Sequence, residues 1–212
     1  MKILLIGATG GIGSRILNEA LTRGHAVTAM ARNTQTIAKR EGLKIVQADV
    51  TDVASVAQLA TGHDAMVSAT SPRSKGGKEQ YLATIHAVLQ VAKKAKIPYV
   101  LFVGGAGSLE IEPGKRVLDT LLDKLPKERL EEPIVVVQAR DVVFASDVAW
   151  TFLSPAGQIA PGERTGRYRL GGMQPVKDAE GQSRISNEDY AVAVLDELEH
   201  PVHKGRQFNV GY

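Results

Sequence analysis

Short apolar runs alternate along this chain with longer segments whose apolar residues recur every three to four positions. That alternation predicts a parallel sheet covered by helices. The first run, Ile3–Ile6, has no polar interruption and reads as a strand buried on both faces. From about Ile12 to Arg23, Ile12, Ile16, Leu17, Ala20 and Leu21 share one helical face, and Gly24 ends the pattern as a C′ glycine. Further strands are predicted at Ala26–Ala31, Lys44–Ala48, Ala65–Ala69, Tyr99–Val103 and Trp150–Leu153, with Phe208–Val210 as a final edge strand. Helices are predicted at Ala54–Ala60 and at Lys78–Lys96, where Leu82, Ile85, Leu89 and Ala92 lie in line until Ile97-Pro98 stops them. Glu131–Ser146 reads either way. Ile134–Val137 has strand propensity, whereas Pro133 after Glu131-Glu132 suits a first helical turn. Ser186-Asn187-Glu188-Asp189 resembles a capping box opening a last helix that ends near His200.

The chain is 212 residues long, with no repeat and no linker, so one domain spanning 1–212 is expected, with a small lobe at approximately 155–185. At 43% hydrophobic and 23% charged residues it has the composition of an ordinary globular domain. A net charge of +3 suits an anionic small molecule, but no Lys/Arg block is dense enough for nucleic acid. There is no cysteine, which excludes thiol catalysis and zinc–thiolate sites. His25, His63, His86, His200 and His203 show no metal-ligand spacing, and His200-Pro201-Val202-His203 reads as a solvated helix end. The apolar run after Met1-Lys2 is too short for a signal peptide, and no stretch nears the ~18 apolar residues of a membrane span. A cytoplasmic monomer or small homo-oligomer is the expectation, with a small-molecule acceptor and neither membrane nor nucleic acid as partner.

Between the first strand and first helix lies Gly7-Ala8-Thr9-Gly10-Gly11-Ile12-Gly13. Three of its glycines have distinct roles in such a setting. The first allows a tight turn, the second lets backbone approach a pyrophosphate, and the third lets helix pack on sheet. The helix N-terminus then offers free N–H groups and its dipole to the phosphates. A mononucleotide P-loop would need Lys and Ser/Thr after its second glycine, and Ile12-Gly13-Ser14 does not supply them. Dinucleotide binding at Gly7, Thr9, Gly10, Gly11, Ile12 and Gly13 follows.

An Asp or Glu at the end of the second strand would grip the ribose of NAD. Here the chain reads Met30-Ala31-Arg32-Asn33, and Arg32 can instead pair with a 2′-phosphate, which favours NADP(H) over NAD(H). Asp49-Val50, after the third strand, can meet the adenine, or Asp49 can cap a helix. Ala69, Thr70 and Arg73 follow strand four, and Gly105 and Ser108 follow strand five, where open parallel sheets bind their ligands. Ser108 is the candidate catalytic donor, or a serine that caps the next turn.

Gly-Ala-Thr-Gly-x-x-Gly, Arg32, Ala48-Asp49-Val50 and Gly62-His63-Asp64-Ala65 resemble the atypical short-chain dehydrogenases/reductases. Residues Phe102–Ser108, Trp150–Pro155, Gly162–Tyr168 and Ser183–Ala191 resemble, within that group, the NAD(P)H:flavin reductases related to biliverdin reductase B and the nitrogen-metabolite-repression regulators. The resemblance implies a doubly wound Rossmann α/β fold, helices on both faces, strand order 3-2-1-4-5-6 plus a possible edge strand, and a small C-terminal substrate lobe. It also implies NAD(P)H as cofactor. The imidazole positions of the biliverdin-reducing relative fall on Arg140 and Gly157 here, which disfavours biliverdin.

The larger short-chain family protonates a carbonyl oxygen with a Tyr-x-x-x-Lys pair. None of Tyr81, Tyr99, Tyr168, Tyr190 or Tyr212 has Lys four residues on, so that route is not expected. Flavin reduction survives, because the reduced ring can take its proton from solvent and ring alignment is most of the catalysis. The expected function is an NADPH-dependent oxidoreductase acting on free FMN, FAD or riboflavin, with Ser154, Pro155, Ile159 and Tyr168 toward the substrate. Tyr168 serves equally as an aromatic covering the lobe. The alternative is a non-catalytic NADP(H) redox sensor that signals through a protein partner.

Overall fold

A computed structural model describes residues 1–73 and 76–212. Apolar residues on β1 (Lys2–Ile6) alternate between two cores: Ile3 and Leu5 join one, Leu4 and Ile6 the other. Both faces of the sheet are therefore covered, as the uninterrupted run requires. In chain order follow α1 (Gly11–Thr22), β2 (Ala26–Ala31), β3 (Leu43–Gln47), α2 (Val53–Ala60), β4 (Ala65–Ser68), α3 (Gly77–Ala95) and β5 (Val100–Val103). Beyond them come a 3-10 turn at Ala106–Ser108, the hairpin β6 (Glu110–Glu112) and β7 (Lys115–Arg116), and a second 3-10 turn at Leu118–Thr120. The chain closes with α4 (Lys127–Phe144), β8 (Trp150–Ser154), β9 (Gln158–Ala160), β10 (Arg169–Gly171), β11 (Arg184–Ser186), α5 (Asn187–Glu199) and β12 (Arg206–Gly211).

The main sheet runs β3-β2-β1-β4-β5-β8-β12-β10, parallel except for β10. It is the Rossmann order 3-2-1-4-5-6 extended by two strands. Helices α1 and α5 bury one face with Ile16, Leu17, Tyr190 and Leu195, while α2, α3 and α4 bury the other with Val56, Ile85, Val88 and Val135. Each such aliphatic side chain contributes roughly 1.5–3 kcal/mol when fully buried. The order reverses between β1 and β4, so a crevice opens beyond the carboxyl ends of those two strands.

Four local expectations are corrected. The strand at the chain end is interior, flanked by β8 and β10, because the segment before Gly172 folds back antiparallel and takes the edge. The ambiguous segment is a helix that starts four residues before Glu131, with Pro126 as N-cap and Pro133 inside it. That proline withholds an N–H from the Arg129 carbonyl one turn back. On α3 Ile85 and Ala92 are buried as expected, but Tyr81 and Val88 complete the buried stripe while Leu82 and Leu89 pack at its margin. His203 is not solvated: it stacks on Phe208 with centroids 3.8 Å apart and bonds Glu197 at 2.7 Å.

The small lobe is tied to α1 and α5 by charge. Glu19, 6% exposed, accepts from Arg23 Nε at 2.8 Å and from Arg164 Nε and Nη2 at 2.8 Å each. The Arg164 hydrogen bond is the main reason its carboxyl sits below the usual range, against the opposing effect of burial. Ser186 caps α5 by accepting from Asp189 N, but the buried Asp189 carboxylate accepts from Thr165 Oγ1 and Gly166 N of the lobe instead of closing the box.

Candidate functional site

The loop after β1 is shaped by two glycines for different reasons. Gly7 has φ +86°, and a Cβ there would sit 2.5 Å from the Ala69 carbonyl oxygen. Only glycine lets the ends of β1 and β4 approach this closely. A Cβ on Gly13 would lie 2.1 Å from the Gly7 oxygen, so α1 can start against the loop only without a side chain there. Gly10 and Gly11 differ: a Cβ on Gly10 meets nothing nearer than 3.4 Å, and one on Gly11 meets nothing within 4 Å. The protein's own packing does not demand glycine at either position. What a side chain would fill is the space in front of the helix, where a close ligand fits. Gly10 is the N-cap and offers no side-chain cap, so the first-turn amides of α1 remain for that ligand.

An open cleft of about 170 Å³ lies over this loop. Of the residues expected to hold the dinucleotide, Gly7, Thr9 and Gly10 form its floor, Arg32, Asp49 and Val50 one end, and Ala69 and Thr70 the wall at β4. Gly11, Ile12 and Gly13 stand behind it, in the first turn of α1. The Asp49 carboxylate accepts from Thr51 N at 2.9 Å and Thr51 Oγ1 at 2.8 Å. The Thr51 backbone bond is the leading cause of its lowered pKa, and the Arg32 charge adds to it. Asp49 thus ends a turn at the cleft, and the helix N-cap is Asp52, which accepts from Ser55 N. Residues suited to the dinucleotide therefore gather around one cleft: an uncapped helix start, a glycine cradle and a cation at the end of β2.

The α3 wall of this cleft was not anticipated. Gln80, Tyr81 and Thr84 line it, brought there because α3 packs over the ends of β1 and β4. The available signal was a polar pair at i and i+4, Gln80 and Thr84, beside the buried stripe that begins at Tyr81.

Other expected residues lie elsewhere. Arg73 is exposed and pairs with Glu132 at 2.6 Å. Gly105 packs against Val136 of α4, and its carbonyl accepts from Ser108 Oγ at 2.8 Å and Ser154 Oγ at 3.2 Å. Ser108, the candidate catalytic donor, is wholly buried and also receives Gln207 Nε2 at 2.7 Å. Its hydroxyl is held by these bonds within the turn, and it does not line the cleft. Ser154 is wholly buried in the same network, taking Gln207 Nε2 at 2.9 Å, and Pro155 beside it is buried too. Ile159 pairs with Ile185 and packs on the α1/α5 core. Tyr168 lies on that same face, its hydroxyl donating to Asp196 of α5. None of these four lines the cleft, because the strands β9 and β11 draw the segment after β8 over the α1/α5 side.

Among the described residues no three His, Asp or Glu side chains converge on a metal position, and no helix is long and apolar enough to cross a membrane. The model of a family described as NAD(P)H-binding matches residues 7–201. The uncharacterised Bacillus subtilis protein YwnB is 40% identical over 216 residues, covering 99% of this chain and 98% of that protein. A solved structure from Bacteroides thetaiotaomicron, described as a proposed epimerase, is 40% identical with a TM-score of 0.90, over 100% of this chain and 96% of that one. A Streptococcus pneumoniae structure, described as a proposed NADH-flavin reductase, is 31% identical with a TM-score of 0.87, over 100% of this chain and 99% of that one. Fold, glycine cradle and relatives agree, and the chain belongs to the NAD(P)H-binding family of Rossmann-fold oxidoreductases akin to the atypical short-chain dehydrogenases/reductases.

Proposed function

We propose that this protein is an NADPH-dependent reductase of the flavin-reductase type, with a free flavin or a similar flat molecule as acceptor. The observation that carries the cofactor choice is the far end of the cleft, where β2 delivers Arg32 and no carboxylate from β2 stands in the ribose position. A guanidinium there favours a 2′-phosphate, and a β2 carboxylate would repel it. Bound dinucleotide would supply a hydride from its nicotinamide ring. The chain's own part is to hold and orient: the Gly10-Gly11 cradle and first-turn amides take the pyrophosphate, Asp49-Val50 flank the adenine, and Thr70 at the end of β4 faces the nicotinamide side.

The flavin part of the reading draws on the pneumococcal relative and on the chemistry. Reduction of a flavin asks the protein for alignment and water exclusion rather than an acid–base pair. The experiment is to mix purified protein with NADPH and FMN, riboflavin, quinones and dyes, and follow loss of the reduced-nicotinamide absorbance. Saturable oxidation by flavin, faster with NADPH than with NADH, is expected. Tight NADPH binding with no oxidation above background by any acceptor would overturn the enzyme reading in favour of a sensor acting through a partner protein.

A further inference from the structure

Tyr81 stands apart from the buried Tyr190 and Tyr99 and the partly buried Tyr212. Tyr190 donates to the Leu153 carbonyl at 2.6 Å, Tyr99 to Glu197 Oε1 at 2.7 Å, and Tyr212 to Asp189 Oδ2 at 2.7 Å. The Tyr81 side chain is as deeply placed, at 4% exposure, yet its hydroxyl has no hydrogen-bond partner among the described residues. It lines the dinucleotide cleft between Gln80 and Thr84, across from Ala69 and Thr70. Asp178 Oδ2 is the only fully buried side-chain polar atom without a partner among the described residues, so the Tyr81 oxygen itself still reaches the cleft, where an arriving acceptor can take its hydrogen bond.

The surroundings give its direction and its state. The phenol is close enough to Glu132 of α4 to feel its charge, and close enough to Tyr190 of α5 to disfavour ionisation of that ring. The Tyr190 hydroxyl lies at the Leu153 carbonyl and beside the Gly104 amide, which mark the β5/β8 side of the crevice. Tyr81 therefore serves the end of the cleft away from Arg32 and Asp49. Burial first, and then Glu132, push its pKa well above that of a free tyrosine, so it is a neutral donor.

We propose that the Tyr81 hydroxyl donates a hydrogen bond to a carbonyl oxygen held at the nicotinamide end of the cleft. The proposal rests on the dinucleotide reading of the site. It assigns no proton transfer: a neutral phenol orients the carbonyl and keeps its proton. Two oxygens have the required chemistry, the carboxamide of nicotinamide and a ring carbonyl of a flat acceptor such as flavin.

Tyr81→Phe removes one oxygen that has no partner among the described residues and keeps the packing, so its melting temperature should stay close to that of the wild type. Two titrations then read the bond without turnover: NADP+ into the free protein, and FMN into protein saturated with NADP+. A loss of about tenfold in NADP+ affinity identifies the carboxamide, and a similar loss for FMN alone identifies the acceptor carbonyl. Affinities within about twofold of wild type in both titrations would overturn the proposal. If FMN does not bind the wild type, the NADP+ titration alone decides. Failure of every acceptor to oxidise NADPH would sink the flavin-reductase reading and leave these titrations able to decide on Tyr81.

Discussion

A methyl group at position 13 would stand 2.1 Å from the Gly7 carbonyl oxygen and 2.9 Å from its carbon, well inside the 3.0 Å that real Cβ atoms respect. Neither partner can yield easily. The Gly7 oxygen accepts from Gly10 N at 3.1 Å, and Gly7 N donates to the Met30 carbonyl at 3.1 Å, so the loop is held between β2 and the start of α1. Gly13→Ala must open that loop, at about 1–3 kcal/mol for the overlap and about 1 kcal/mol for a disturbed hydrogen bond. For a chain of this size a total of about 2–4 kcal/mol lowers the melting temperature by roughly 5–15 °C. Gly10→Ala is the contrasting change. Gly10 has φ −73° and ψ 165°, which alanine adopts freely, and its new Cβ meets nothing nearer than 3.4 Å. The cost is that of a poorer N-cap, about 0.5–1 kcal/mol. The same methyl occupies the space reserved for the pyrophosphate, so NADPH affinity should fall at least about tenfold, a loss of about 1.4 kcal/mol or more. Thermal melts and NADPH titrations of both variants make the comparison. A Gly10→Ala protein that binds NADPH like the wild type, or that melts as low as Gly13→Ala, would refute the division between glycines needed by the fold and glycines needed by the ligand.

Arg32→Ala removes the cation at the end of β2, and NADPH affinity should drop about 10- to 100-fold with NADH nearly unchanged; equal losses would contradict the 2′-phosphate assignment. Ser108→Ala takes a hydroxyl from the buried network around the Gly105 carbonyl, so stability should fall by about 1–3 kcal/mol while turnover stays within about threefold, as melts and steady-state rates would show. Glu19→Gln should cost about 2 kcal/mol at neutral pH, because charged bonds to Arg23 and Arg164 are weakened. The lowered pKa of Glu19 contributes stability above its unfolded value near 4.3 that is lost as pH falls through the folded value, so the gap between the two proteins should narrow progressively as pH falls below about 4.3 in denaturant titrations; a gap constant with pH would refute it.

Local signals were enough for most of the frame. The uninterrupted run at Ile3–Ile6, the glycines at 7, 10 and 13, the C′ glycine at 24 and the cap at Ser186 each act within a few residues, so they are written in sequence order. The gathering of these residues around one cleft was legible for the same reason, since a Rossmann loop and the ends of β2, β3 and β4 carry them. What depends on partners far along the chain was not. Ser108 has the look of an exposed loop serine until Gln207, 99 residues away, reaches it on β12 and seals its hydroxyl. Tyr168 and Ile159 follow the expected strand, yet their side chains go to the α1/α5 face because β9 pairs with β11 and β10 with β12. Tyr81 reads as one more apolar position on α3, and only the packing of that helix over β1 and β4 turns an unpaired hydroxyl into the cleft. Propensity and spacing determine which segments become strands and helices. Which hydroxyl is buried, saturated or left waiting is decided by contacts between segments, whose free energy no single window of sequence contains.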